Sequence, residues 1–327
     1  MKNILVTGGA GYIGSVVVGE LLAKNYKVRV LDRLLFGGES LLGNIDNPQF
    51  ELIVGDVRSE NVVQKALKDI DVVFHLAALV GDPACKINEK VTREINVEAT
   101  KLLVKTSRSS GVKQFVFLST CSNYGVTKAD ELATEESSLH PLSLYAETKI
   151  ESEAFVLESK DSHFHPLVFR LATIFGLSPR MRFNLLVNEF ARETALNGSI
   201  SIRSKKAWRP YLHVLDASSA LLTSLEQKEE LDGVFNIVGE NIQKEQLALM
   251  AKEVNPSIRL SIEEGKLDDM RDYAVSSEKF RKATGWSSTI SIREGFVSMV
   301  NAVKEKVFKD PYEKRYNAWV DDTITKN

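Results

Sequence analysis

Tyr145 and Lys149 bound the segment Tyr-Ala-Glu-Thr-Lys, and on a helix residues four apart share one face, about a turn apart. An ammonium beside a phenol favours the phenolate, which brings a tyrosine toward the range useful for a general base. Taken alone, Y-x-x-x-K occurs on many solvated helix faces, so the pair needs a partner and a ligand. A partner lies upstream in Ser119-Thr120-Cys121-Ser122-Asn123-Tyr124-Gly125, directly after an apolar run. If that run is a buried strand, the segment sits at the carboxyl edge of a sheet, where α/β proteins bind ligands. A hydroxyl there can bridge a substrate hydroxyl and Tyr145. Cys121 adds a thiol that either joins the chemistry or packs behind it as a small apolar group.

A ligand site is written near residue 10. The apolar run 3–7 passes into Gly8-Gly9-Ala10-Gly11-Tyr12-Ile13-Gly14 and then into a helical pattern. Glycines at 8, 11 and 14 supply a tight turn, a backbone able to touch a pyrophosphate, and close helix–strand packing. The helix start adds unpaired N–H groups and the positive end of a dipole. Tyr12 and Ile13 lie inside this turn. Asp32 ends the next apolar run, where a carboxylate accepts hydrogen bonds from ribose hydroxyls and repels a 2′-phosphate, selecting NAD over NADP. Arg33 beside it works against that selection. Asp56-Val57 follows the third run and meets either an adenine or merely its own turn.

These groups demand a scaffold. Runs at 3–7, 27–32, 50–54, 72–76, 114–119 and 166–172 are rich in Val, Ile, Leu and Phe without polar alternation. Such runs are strands buried on both faces of a parallel sheet. Helical patterns at 13–24, 62–68, 91–110 and 145–159 alternate with them, which predicts an α/β fold with a Rossmann doubly wound sheet. Beyond Gly176 the rhythm changes, with helices expected at 185–196, 243–253 and 293–304 and short strands at 200–202, 234–237 and 259–262. The expected division is an NAD-binding Rossmann domain at 1–176 and a smaller C-terminal α/β substrate-binding domain at 177–327. Segments near 211–240 are expected to return to the Rossmann sheet, and the charged tail from Asp310 to pack loosely.

Composition narrows the classes. Hydrophobic residues make up 43% and charged residues 26% of 327 residues, with a net charge of −2. That balance is globular and offers no electrostatic footprint for nucleic acid or an anionic membrane. Cys85 and Cys121 cannot build a disulfide framework or a zinc pattern, and no metal is expected. No run approaches the about 20 apolar residues of a membrane span, and the first residues lack the apolar stretch of a signal peptide. The expected location is cytoplasmic.

Together the motifs carry a resemblance. TGGAGYIG at 7–14, HLAA at 75–78, STCSNYG at 119–125 and YAETK at 145–149 resemble the extended short-chain dehydrogenase/reductases. More narrowly they are similar to the nucleotide-sugar epimerases and dehydratases, the UDP-galactose 4-epimerases among them. Arg209-Pro-Tyr211-Leu-His-Val214 with Asp216, and Asp269-Met-Arg271-Asp-Tyr273 with Lys279 and Gly285-Trp286, resemble second-half stretches of that family. The resemblance implies Tyr145 as acid/base, Lys149 as its partner and a holder of the nicotinamide ribose, and Thr120 as the bridging hydroxyl. It places Leu76, Ala77 and Ala78 along NAD, and Asn184 and Tyr211 against a nucleoside-diphosphate sugar. Arg209 and Arg271 would neutralise the diphosphate, a bidentate task suited to guanidinium; outside the resemblance each reads as a surface ion pair. His75 is implied to be structural. A homodimer through the helices at 91–110 and 145–159 is implied as well.

Members of this family begin by oxidising a sugar carbon to a ketone. A related 4,6-dehydratase would carry an Asp-Glu pair after the threonine, where this chain has Cys121 and Ser122. A decarboxylase would show a glutamate in the same stretch. Both reactions are therefore disfavoured, and the expected function is epimerisation at C4 through a transient 4-keto intermediate. An NAD(P)H-dependent ketoreductase of a nucleotide-linked 4-keto-6-deoxy sugar is the alternative. A non-catalytic NAD-binding protein is a third reading, against which the intact Thr120, Tyr145 and Lys149 set argues. Thr173 stands where 4-epimerases usually carry an asparagine, and the Gly81-Asp-Pro-Ala-Cys85 loop has no assigned role.

Overall fold

A computed structural model describes residues 2–127, 131–227, 231–263 and 271–318. Side chains on consecutive strand residues point to opposite faces, and in this chain both sets are apolar. Leu5, Leu31, Val73, Phe115 and Val168 bury one face, while Ile4, Val6, Val30, Phe74, Val116 and Phe169 bury the other. A strand apolar on both sides needs helices above and below it. The result is a seven-stranded sheet in the order Gly233–Ile237, His165–Leu171, Gln114–Thr120, Val72–His75, Asn3–Thr7, Lys27–Asp32, Phe50–Val54. Every neighbouring pair is parallel. The six expected strands are present with ends shifted by a residue at most.

Helices Gly14–Ala23 and Val214–Leu225 pack together on one face, and Glu60–Ala66, Ala99–Ser109 and Leu144–Glu158 cover the other. The second half adds a sheet of Glu240–Gln243, Trp208–His213 and Thr173–Phe175, and a pair of Ser199–Ile202 with Arg259–Ile262. Helices Leu186–Ala195, Lys244–Val254 and Ile292–Lys304 surround them. Among the described residues no helix is long and apolar enough to cross a membrane.

Two expectations need correction. The single helix at 91–110 is divided into Glu89–Arg93, a π-helical turn Glu94–Glu98, and Ala99–Ser109. The wide turn frees buried Asn96 to bridge elements: its amide bonds both backbone groups of Leu79 (2.8 and 3.0 Å) and Thr148 Oγ1 (3.2 Å). The tail is not loose as far as Ala318. The Tyr316 carbonyl accepts from Phe183 N at 2.9 Å, and Phe308, Tyr316 and Phe183 meet edge to face.

Candidate active site

The carboxyl ends of the central strands open onto a cleft of about 640 Å³ lined by residues of both halves, a size ordinary for a small-molecule site. Its floor is the glycine turn. Gly8 has φ +74°, and a Cβ there would lie 2.8 Å from Ala77 N; a Cβ on Gly14 would fall inside the Gly8 carbonyl oxygen. Only glycine fits so tight a cradle. The Asp32 carboxylate accepts from Ala10 N (2.9 Å) and Leu34 N (2.7 Å), and burial pushes its pKa up. Arg33 lies 3.6 Å from Asp56. Burial opposes ionisation of Asp56, but Arg58, donating at 2.7 Å, outweighs it and holds the carboxyl below its ordinary range. Gly11, Ile13, Val57, Leu76, Ala77 and Ala78 complete this end. The Tyr12 hydroxyl turns away to bond Gly176 O (2.6 Å) and Asn188 Nδ2 (3.0 Å), tying the turn to the second half. An amide-rich cradle with a carboxylate at the end of the second strand fits a dinucleotide.

The wall that carries Tyr145 and Lys149 is a helix against a strand end. Ser143 caps Leu144–Glu158 by accepting from Ala146 N, which fixes where Tyr145 and Lys149 emerge. Lys149 Nζ donates to Leu118 O at 2.8 Å and lies 4.5 Å from the Phe117 ring centroid and 5.9 Å from that of Tyr145. Burial lowers the Lys149 pKa to about 8. Burial is the larger influence on the Tyr145 phenol and raises its pKa above the ordinary value. Thr120 Oγ1 accepts from Ser122 N at 3.1 Å, leaving its proton available to a ligand. Ser122 Oγ lies 3.2 Å from the Tyr273 hydroxyl and accepts from Arg271 Nη1 at 3.4 Å.

Of the two readings of Cys121, the packed thiol fits the structure. Its side chain is buried behind the wall, donates to Arg170 O at 3.1 Å, and has its pKa raised by burial, so it takes no place in the cleft. His75 is structural, with Nδ1 2.7 Å from Thr7 Oγ1 and Nε2 2.9 Å from Thr100 Oγ1, and burial takes its pKa down to about 3. Beneath the wall, the buried Glu153 carboxylate accepts from Asn123 (2.7 Å), Arg170 (2.8 Å) and Ser119 Oγ.

From the second half, Asn184, Tyr211, Arg209 and Arg271 all line the same cleft. Arg209 donates to Trp208 O (2.8 Å) and to Arg271 O, and its guanidinium lies 5.6 Å from the Tyr273 ring centroid. Other motif residues hold the fold together. Asp216 accepts from Thr289 N and Ile290 N at 3.0 Å, Lys279 lies over Phe235, and Trp286 Nε1 bonds Ser219 Oγ. Asp269 lies outside the described residues. Sequence reasoning missed Arg180, Arg182, Tyr273 and the Leu79–Pro83 lip, all of which line the cleft. The arginines flanking Met181, just before Asn184, were the available signal. Gly81 and Pro83 punctuate the lip as a loop, yet Asp82–Ile87 is a short helix.

Residues 4–238 match the model of the NAD dependent epimerase/dehydratase family. UDP-glucuronic acid decarboxylase 1 of Arabidopsis thaliana is 28% identical over 320 residues, 94% of this chain and 71% of the relative. MoeE5, solved in complex with UDP-glucuronic acid and NAD, superposes with a TM-score of 0.81 at 26% identity, covering 93% of this chain and 99% of MoeE5. UDP-glucose 4-epimerase of Thermotoga maritima, solved with UDP-glucose, gives 0.83 at 26% identity, covering 94% and 100%. This chain belongs to the NAD dependent epimerase/dehydratase family.

Proposed function

We propose that the chain is a nucleotide-sugar epimerase that acts at C4 through a transient 4-keto intermediate. One observation carries the reading: Thr120, Tyr145 and Lys149 line one cleft together with the glycine turn, Arg209 and Arg271. Gly8, Gly11, Gly14 and the helix start hold the NAD pyrophosphate, Asp32 the ribose, Asp56 and Val57 the adenine. Leu76, Ala77 and Ala78 run beside the dinucleotide, and Lys149 holds the nicotinamide ribose. NAD bound there would supply the hydride acceptor and donor that the reaction needs. Thr120 orients the sugar hydroxyl, Tyr145 takes its proton and gives it back, and the Lys149 ammonium stabilises the phenolate. Arg209 and Arg271 grip the diphosphate, with Asn184 and Tyr211 along the nucleotide sugar.

The ligands of the related structures, UDP-glucose for the Thermotoga epimerase and UDP-glucuronic acid with NAD for MoeE5, support this substrate class. Cys121 and Ser122 supply no acid pair for dehydration. Tyr145→Phe tests the mechanism: the rate with a UDP-hexose should fall by about 10³-fold or more, and near-normal turnover would overturn it. Mass spectrometry of the denatured protein tests the recycling of cofactor. About one NAD per chain is expected; a chain that releases none and then binds NADPH favours the ketoreductase. The homodimer is checked by light scattering at micromolar concentration, where a monomer mass removes it.

A further inference from the structure

The described chain ends inside the cleft. Ala318 lines it and is buried, and the residues leading to it are fastened at several points. Phe308 and Tyr316 meet Phe183 edge to face, and the Arg192 guanidinium lies 4.3 Å from the Tyr312 ring centroid. Arg180 makes the last attachment, donating to Met181 O at 2.6 Å and to Asn317 O at 2.8 Å. Its guanidinium is buried and lies 4.4 Å from the Phe36 ring centroid. One planar fork thereby joins three pieces of chain, stacking on one while it bonds the others, which an ammonium could not do.

The pieces next to Arg180 belong to the dinucleotide site. Phe36 follows Asp32 in a loop where Ser40 Oγ bonds Ala10 O at 2.9 Å, and Leu35, Phe36 and Gly37 line the cleft with the glycine turn. On the other side, Arg180 N donates to Ser178 Oγ at 3.2 Å. That hydroxyl donates to Tyr12 O at 2.7 Å and lies 3.2 Å from Ser15 Oγ, at the start of the first helix. Arg180 thus fastens Asn317 to both elements that cradle the cofactor. An epimerase that recycles its cofactor must keep NAD through two hydride transfers. A segment that has to be displaced before the dinucleotide leaves slows release without touching the reacting sugar.

We propose that residues 308–318 form a clasp beside the glycine turn that keeps NAD in the cleft between turnovers, and that Arg180 is the positioning residue that holds the clasp shut. This rests on the reading above only in taking NAD as a retained cofactor.

The test follows the loss of NAD from loaded protein in NAD-free buffer, for wild type, Tyr316→Ala, Tyr316→Phe and Arg180→Gln. Tyr316 is not part of the cleft lining, so its variants act on the clasp alone. Tyr316→Ala and Arg180→Gln should release NAD about 10-fold faster or more. Tyr316→Phe, which keeps the ring contacts, should match wild type, and excess NAD should restore the turnover of Tyr316→Ala. Release from Tyr316→Ala at the wild-type rate overturns the clasp; if Arg180→Gln alone is fast, the arginine holds the cofactor phosphates itself. Turnover of Tyr316→Ala that no NAD concentration restores makes the segment structural and overturns the proposal as well. Wild type offers a measurement that needs no variant to fold. Lys314 and Arg315 are exposed tryptic sites within the segment, and saturating NAD should slow cleavage there by about 10-fold. Cleavage that ignores NAD overturns the proposal. A chain that turns over no nucleotide sugar yet shows the expected release rates sinks the epimerase and leaves the clasp standing.

Discussion

The two ends of the cleft are specified by different physics. At the cofactor end the recognition element is the main chain: Gly8 sits at φ +74°, and Gly14 packs where no side-chain atom fits. At the catalytic end the backbone is ordinary helix and strand, and what is controlled is charge. Lys149 is brought down to about 8, the Tyr145 phenol is pushed up, and a buried Glu153–Arg170 pair lies underneath. A substitution at the first end should therefore act through volume, and one at the second through protonation.

The sharpest way to break this contrast is Gly14→Val. Its added atoms collide with the Gly8 carbonyl and with Gly9, so the turn cannot keep its shape. NAD affinity should fall by more than about 100-fold, or roughly 2.7 kcal/mol, at every pH, as read by calorimetry. Wild-type affinity would show that the turn is not the cofactor cradle.

Glu153→Gln probes the other end. The carboxylate lies one helical turn beyond Lys149 and joins the helix to Ser119, beside Thr120, and to Asn123, in the turn that carries Ser122. Losing one partner of a buried ion pair costs about 3–5 kcal/mol, so the melting temperature should drop. The more telling readout is pH. Glu153 raises the Lys149 pKa, so removing its charge lets the ammonium lose its proton at lower pH, and the alkaline fall in rate should begin earlier. A uniform loss at all pH values would make Glu153 structural and nothing more.

A smaller effect is expected of Lys149→Arg. With burial holding Lys149 at about 8 against an ordinary 10.5, the active ammonium fades as pH rises through about 8. A guanidinium does not. The variant should be slower overall yet flat on the alkaline side, and an alkaline fall like that of wild type would place the titrating group elsewhere. Stability carries the opposite sign. Because its folded pKa lies below its unfolded one, Lys149 binds fewer protons in the native state between about 8 and 10.5, and its contribution to stability rises with pH across that window.

How far this was legible follows from the same contrast. The six strands announce themselves because burial on both faces leaves uninterrupted apolar runs, and the glycine turn does so because no other residue fits it. The strand Trp208–His213 does not, since it carries Arg209 and Pro210 and borrows its partners from Thr173–Phe175 and Glu240–Gln243. Helix Val214–Leu225 hides for a related reason: small residues such as Ala217, Ser218 and Ala220 are buried on nearly every side, so no amphipathic stripe appears. The motif residues assigned to the site line the cleft apart from Cys121, whereas Asp216, Lys279 and Trp286 hold the fold together. Burial is what the motif did not contain. It raises the Tyr145 phenol where nearness to Lys149 alone would lower it.

Cys121 gives the smallest expected effect and the cleanest control on the catalytic end. If that end is governed by charge, a neutral thiol facing Arg170 O should leave the chemistry alone. Cys121→Ala removes one buried sulfur and opens a small void, which costs about 1 kcal/mol through lost packing. Turnover and its pH profile should stay within about twofold of wild type, with the melting temperature a few degrees lower. A thiol-directed alkylating reagent applied to the native protein should modify Cys121 slowly, since burial both hides the sulfur and keeps it protonated. A Cys121→Ala variant that folds normally but loses turnover more than about tenfold would bring the thiol back into the reaction, and would mean that the turn carrying Ser122 rearranges when substrate binds.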